Sequence, residues 1–180
     1  AAMFVGKVVS EVVRITVQTG IILCLGYVLL VVTSEASVTQ YLRTGVFGVL
    51  GIFVVTVVFA GVFIAYSNIV ALVTRDREAT VMIANLLTFP LLFVSSAFLP
   101  LDILPDWIQA VAVANPITYG VDGIRALMLG EDVMSVFEMT AFTGLWNTVV
   151  PAIAVLLGFN AVLGGIAVHL LRRASRAEVQ

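Results

Sequence analysis

Four long stretches of the chain are apolar on every side. The first runs from Ile15 to Val32, with Gln18 as its only strongly polar side chain. The second occupies residues 44–74, which carry no charge. The third begins after Glu78 and runs to Phe98 with Pro90 inside it, and the fourth extends from about Met139 to Leu171, interrupted only by His169. A spanning helix needs roughly 20 mostly apolar residues, so the pattern predicts four transmembrane helices, over about 15–32, 44–73, 79–98 and 143–171 of a single membrane domain, residues 1–180. Strands of a membrane barrel would alternate in polarity, and these runs do not. Ahead of the first span, Lys7, Glu11 and Arg14 recur at spacings of three and four. Residues 1–14 therefore read either as a separate amphipathic helix or as a plain extension of the span.

Polar side chains singled out within the spans are Gln18, Thr56, Asn68, Asn85, Ser95, Asn147 and Asn160. Such side chains hydrogen-bond across helices more often than they line a route. Gly45, Gly48 and Gly51 repeat every third residue, which permits close helix approach. Pro90 removes a backbone donor and predicts a bend or a hinge. Cys24 sits in an apolar run and reads as buried packing.

Composition agrees with the pattern: 61% of residues are hydrophobic, 11% are charged, and the mean hydropathy is +1.15. Soluble domains carry about 25% charged residues, so the fold class is all-α integral membrane. Lys7, Arg14, Arg75, Arg77, Arg172, Arg173 and Arg176 fall on one side if both ends of the chain are cytoplasmic. Only Arg43 and Arg125 then lie outside, together with the acidic set Asp102, Asp106, Asp122, Glu131, Asp132 and Glu138. The excess of Lys and Arg on the cytoplasmic side fixes that orientation. The start Ala1-Ala2-Met3 shows no signal-peptide pattern and reads as the interior of a longer chain.

The segment between the third and fourth spans reads FLPLDILPDWIQAVAVANPITYGVDGIRALMLGED from Phe98 to Asp132. Pro105 suits the first turn of a helix, with Asp102 as its cap and Asp106 favoured by the helix dipole. Trp107 suits headgroup depth. A first outer helix is expected over 105–114. Asn115 and Pro116 restart the backbone as N-cap and first helical residue, and a second helix should run over 116–129 and stop at Gly130. Its stripe of Ile117, Val121, Ile124 and Met128 should be buried, while Asp122 and Arg125, three apart, can pair. These helices are too short to span, so they form a re-entrant hairpin or lie at the outer interface.

The sequence argues against chemistry of its own. The lone lysine, Lys7, follows Gly6 but precedes Val8, so no phosphate-cradling G-x-x-x-x-G-K-S/T loop exists. One histidine cannot make a paired-histidine zinc site, and no serine lies in a G-x-S-x-G elbow. Nothing resembles a nucleic-acid interface. His169 reads as an ordinary interfacial imidazole.

The succession Ser95-Ser96-Ala97-Phe98-Leu99-Pro100-Leu101, Leu-Pro-Asp-Trp, Asn-Pro-Ile-Thr-Tyr and Asp122-x-x-Arg125, closed by a span with a basic tail, resembles the C-terminal part of type-2 ATP-binding-cassette (ABC) exporter permeases of the daunorubicin-efflux and nodulation-export kind. Ser96 departs from the Ser-Gly common there. The resemblance implies spans three to six of a six-span permease, with two spans and the main coupling helix upstream. It implies a cytoplasmic ABC ATPase subunit as partner, a permease homo- or heterodimer in the plasma membrane, and ATP used by the partner with no cofactor held by this chain. The cargo implied is an amphiphilic drug, a lipid or a lipid-linked glycan. The cytoplasmic turn Arg75, Asp76, Arg77, Glu78 is then a contact for the ATPase, or a solvated charge cluster that fixes topology. Asn115, Pro116, Tyr119, Asp122 and Arg125 are then candidates for an outer gate or lid, or Asp122 and Arg125 face water as a surface pair. A carrier or scaffold without an ATPase is the alternative.

Overall fold

The computed structural model describes residues 2–34, 42–136 and 142–177. It contains six α-helices: α1 Ala2–Ser34, α2 Gly45–Thr74, α3 Arg77–Phe93, α4 Asp106–Val113, α5 Pro116–Leu129 and α6 Trp146–Ala177. A 3-10 turn, Leu101–Ile103, precedes α4, and no strand occurs among the described residues. Residues 35–41 and 137–141 (with Glu138 and Met139) lie outside the described residues, as do the side chains of Lys7, Arg173 and Arg176.

Three helices contain segments long and apolar enough to cross a bilayer: Val9–Thr33, Gly45–Thr74 and Trp146–Arg172. The first shows that residues 2–14 continue the span as one helix. The apolar segment takes in Glu11 and Arg14 near its first end. The expected third span is a 17-residue helix that ends at Phe93, not at Phe98. At about 1.5 Å per residue it reaches roughly 25 Å, short of the ~30 Å hydrocarbon core. Three residues past Pro90, the chain leaves the helix. Ser95 Oγ donates to Leu92 O at 2.7 Å and accepts from Ala97 N at 3.2 Å, folding 94–97 into a turn.

The core sits where α2, α5 and α6 meet, and small residues set its spacing. A Cβ on Gly51 would lie 2.7 Å from Leu127 Cδ2, one on Gly120 would lie 2.6 Å from Phe59, and one on Gly123 would touch Ala152 and Val55. Ile52, Val55, Val62, Tyr119, Ala126, Leu127, Val149, Ala152 and Leu156 are buried there. In lipid there is no water-driven gain for bringing helices together, so such close approach is what holds them. Gly48 and Gly51 serve it. Gly45 does not: it opens α2 at φ 61 with no neighbour within 4 Å. Helix α1 packs chiefly on α2. Cys24 is accordingly exposed, not buried.

Candidate functional site

Polar side chains gather at the end of the core formed by α5 and its flanking turns. Asn115 is extended (φ −98, ψ 116) and accepts from Ile117 N at 3.0 Å, capping α5 with Pro116 as its first residue. Its amide donates to Leu91 O at 2.6 Å, so the same side chain satisfies a carbonyl in the last turn of α3. Gly130 ends α5 at φ 74. The first outer helix differs from expectation in detail. Pro105 is the N-cap residue of Asp106–Val113, without a side-chain cap. Asp102 does not cap it, because it is wound into the 3-10 turn. Trp107 is exposed.

The expected stripe of α5 is off-centre. Ile117 is buried, but Val121, Ile124 and Met128 are only half-buried. The deeper face carries Thr118, Tyr119, Asp122, Gly123, Ala126 and Leu127. The fold therefore puts a carboxylate inside, and satisfies it. Asp122 is fully buried. Its Oδ1 accepts from Ser96 Oγ at 2.7 Å, and its Oδ2 accepts from Ser135 N at 2.9 Å and Ser135 Oγ at 2.5 Å. Arg125 stands at the margin: Nη1 is 4.0 Å from Asp122 Oδ1, while Nη2 donates to Ser96 O at 3.1 Å. One carboxylate thus joins three segments: the turn after α3, α5, and the loop after α5. Tyr119 donates from its hydroxyl to Val113 O at 2.7 Å, tying α5 to α4. Burial, and then the nearby Asp122 charge, push its phenol above the ordinary value and keep it a donor.

A second carboxylate closes the same loop onto α6. Asp132 accepts from Thr148 Oγ1 and Asn147 Nδ2, both at 2.6 Å, and from Met134 N at 3.3 Å. Burial pushes its carboxyl up, but these three hydrogen bonds outweigh it and hold it below the ordinary value. Beside it, Arg43 pairs with Glu131 at 2.5 Å. Arg43 N donates to Met128 O at 3.0 Å, and Thr44 Oγ1 donates to Leu127 O. The start of α2 thereby takes up carbonyls at the end of α5.

At the opposite end of α2, Arg75 adopts a left-handed conformation (φ 53) and Asp76 caps α3, accepting from Glu78 N and Ala79 N at 3.2 and 3.3 Å. The hydroxyls of Thr74 and Thr80 lie 2.8 Å apart across this two-residue connection. Arg75, Asp76, Arg77 and Glu78 are all exposed, and neither arginine forms an ion pair among the described residues.

Of the residues singled out from sequence, Asn115, Pro116, Tyr119, Asp122 and Arg125 all lie on or at the start of α5, but only Asp122 and Arg125 share a cluster, at Ser96, while Asn115 and Tyr119 bond other segments and Arg75–Glu78 form a separate turn. Ser96 and Ser135 were missed as partners of Asp122, as was the separate Asp132–Thr148 pair. Their partners are 13 to 26 positions away in sequence, beyond any helical spacing. Nothing but the burial of Asp122 would have called for them.

Residues 1–129 match the family described as ABC-2 type transporter. The chain is 33% identical over 81 residues to a protein described as a transport permease, ycf38, of Cyanophora paradoxa, covering 43% of this chain and 28% of that protein. It is 27% identical over 128 residues to the daunorubicin resistance ABC transporter permease protein DrrB1 of Streptomyces coeruleorubidus, covering 71% of this chain and 41% of that protein. The matched segments thus take in less than half the length of these relatives. No solved structure matches the chain.

Proposed function

As the chain belongs to the ABC-2 type transporter family, we propose that it forms part of the permease of an ATP-driven exporter, with hydrolysis on a separate ABC ATPase subunit. The observation that carries this reading is the family match over residues 1–129. The absence of any phosphate-binding loop in the sequence is consistent with it. In this reading two permeases pair in the plasma membrane with both ends of the chain cytoplasmic, and the cargo is an amphiphilic drug, a lipid or a lipid-linked glycan.

The parts then have the following roles. Helix α3 and the turn 94–97 together make the third of four crossings, and α4 and α5 form a hairpin dipping into the outer leaflet. Backbone at that depth must be covered by protein, and Asn115, Ser95 and Tyr119 supply hydrogen-bonded cover. The Asp122 network holds the hairpin as an outer gate. The exposed turn Arg75–Glu78 meets the ATPase, since its two cations have no partner within the described residues.

Purification of the full-length protein with its neighbours, followed by ATPase assay, tests the reading. Recovery of an ABC ATPase whose turnover rises with an amphiphilic substrate is the expected result. A permease that transports or assembles with no ATPase bound would make the chain a carrier or scaffold instead.

A further inference from the structure

A groove of mixed chemistry opens between α1 and α2, over the half of α2 nearer the Arg75 turn. Glu11 of α1 faces Thr56, Phe59, Phe63, Ser67 and Asn68 of α2 across it. The α2 residues recur at helical spacing and share one face.

Glu11 belongs to the apolar segment Val9–Thr33, where a carboxylate is costly and seldom without purpose. Its side chain turns toward α2 and is 37% exposed, against 74% for Arg14. The two lie 3.6 Å apart, an open pair of the weak kind that leaves the carboxylate available. Phe59 and Phe63 stand edge to face with centroids 5.1 Å apart, bringing aromatic rings to the same groove. Thr56 Oγ1, in the groove wall, is buried without a hydrogen-bond partner.

We propose that this groove binds the ammonium group of an amphiphile. The cation sits between the Glu11 carboxylate and the Phe59–Phe63 rings, and the apolar body lies along α1 and α2. A carboxylate and negative ring faces both favour a cation. A phosphate or carboxylate head would be repelled by the same groups, and an uncharged glycan would gain from neither. This deepens the exporter reading by naming a substrate class. It rests on that reading only for the ligand's onward passage, since binding needs no transport.

The test uses the full-length permease with its ATPase in maltoside micelles, which contain no ammonium. The probes are 1,12-diaminododecane dansylated at one nitrogen, so that the other end is a free ammonium, and the same molecule acetylated at that free nitrogen, with binding followed by fluorescence. The amine should bind at least tenfold more tightly than the acetylated form. Glu11→Gln should erase that preference, Glu11→Asp should keep most of it, and Phe63→Leu should weaken amine binding severalfold, all at unchanged melting temperature. Equal binding of the two probes, or an intact preference in Glu11→Gln, overturns the proposal. Displacement by added phosphatidylethanolamine would support a membrane lipid as the natural source of the ammonium. Displacement only by soluble lipophilic amines would support a foreign amine. Amine binding that leaves ATPase turnover unchanged keeps the site and counts against export of this class. ATPase stimulation by another class, without amine binding, removes the site and leaves the exporter.

Discussion

The side chain of Asn160 lies over Gly61, where α6 crosses α2. Its amide donates to Val58 O at 2.8 Å and to Leu156 O at 2.9 Å, and a Cβ on Gly61 would collide with its carbonyl oxygen. Gly61→Ala should therefore displace the amide and cost about 1 kcal/mol, the scale of an interhelical hydrogen bond in a bilayer. In an Asn160→Ala background the same substitution should be near silent. Thermal melts of the four proteins in detergent give the coupling directly.

Asp122 should couple more strongly to Ser135 than to Arg125. The serine hydroxyl donates at 2.5 Å to a fully buried carboxylate oxygen, a bond worth roughly 1.5–3 kcal/mol that alanine removes, while its backbone N–H bond to the same oxygen survives the substitution. The arginine is half-exposed and 4.0 Å away, where about 0–1 kcal/mol is usual. Double-mutant cycles with alanine, read by stability and by export at matched expression, should rank the pairs in that order. A dominant Asp122–Arg125 coupling would contradict the geometry.

Acid should loosen the loop after α5. The Asp132 carboxyl has a folded pKa below its ordinary value near 4. Its contribution is therefore fully present above that value and is lost as pH falls through the lower, folded one. Asp132→Asn should lower the melting temperature at pH 7, modestly because the residue is exposed, and the gap from the native protein should narrow as pH falls below the ordinary carboxylate value.

The Arg75–Glu78 turn separates backbone from charge. Asp76→Ala should cost about 1 kcal/mol through the lost cap. Arg75→Gly suits a left-handed position and should leave stability equal or better. If the turn engages the ATPase, Arg75→Gly with Arg77→Gln should keep the fold and lower substrate-stimulated turnover. Undiminished coupling would leave the two cations as topology signals alone.

Orientation can be read in intact cells after replacement of the exposed Cys24. A cysteine at Asp106 should react with an impermeant thiol reagent, and one at Arg77 should not; both positions are exposed. Labelling of the Arg77 site alone would invert the topology.

Local backbone signals were legible in the sequence. Asn115-Pro116 and Gly130 bounded α5 as expected, because caps and stops depend on adjacent residues. The register of burial was not. The apolar stripe pointed to Val121 and Ile124, while the fold buried Asp122 because Ser96 and Ser135 arrive from distant segments to satisfy it. The length of the expected third span was misjudged for a similar reason. Residues 94–98 are apolar or small enough to continue a helix, and the Ser95 bonds that turn the chain there have no hydropathy signature. The spacing of Lys7, Glu11 and Arg14 left open a separate helix or an extension of the span, and the structure makes residues 2–34 one helix.

Helix α3 is pinned at both ends and has no buried residue between them. Asp76 and the Thr74–Thr80 contact fix it to α2 at one end, and Asn115 grips its Leu91 carbonyl at the other. Mechanically it is a strut. A push along its axis at the charged turn travels through the stiff hydrogen-bonded backbone to Leu91 and crosses a single bond to the start of α5. The Arg75–Glu78 turn and the start of α5 are thus connected by one short rod, and the compliance of that connection is the compliance of the Asn115 side chain.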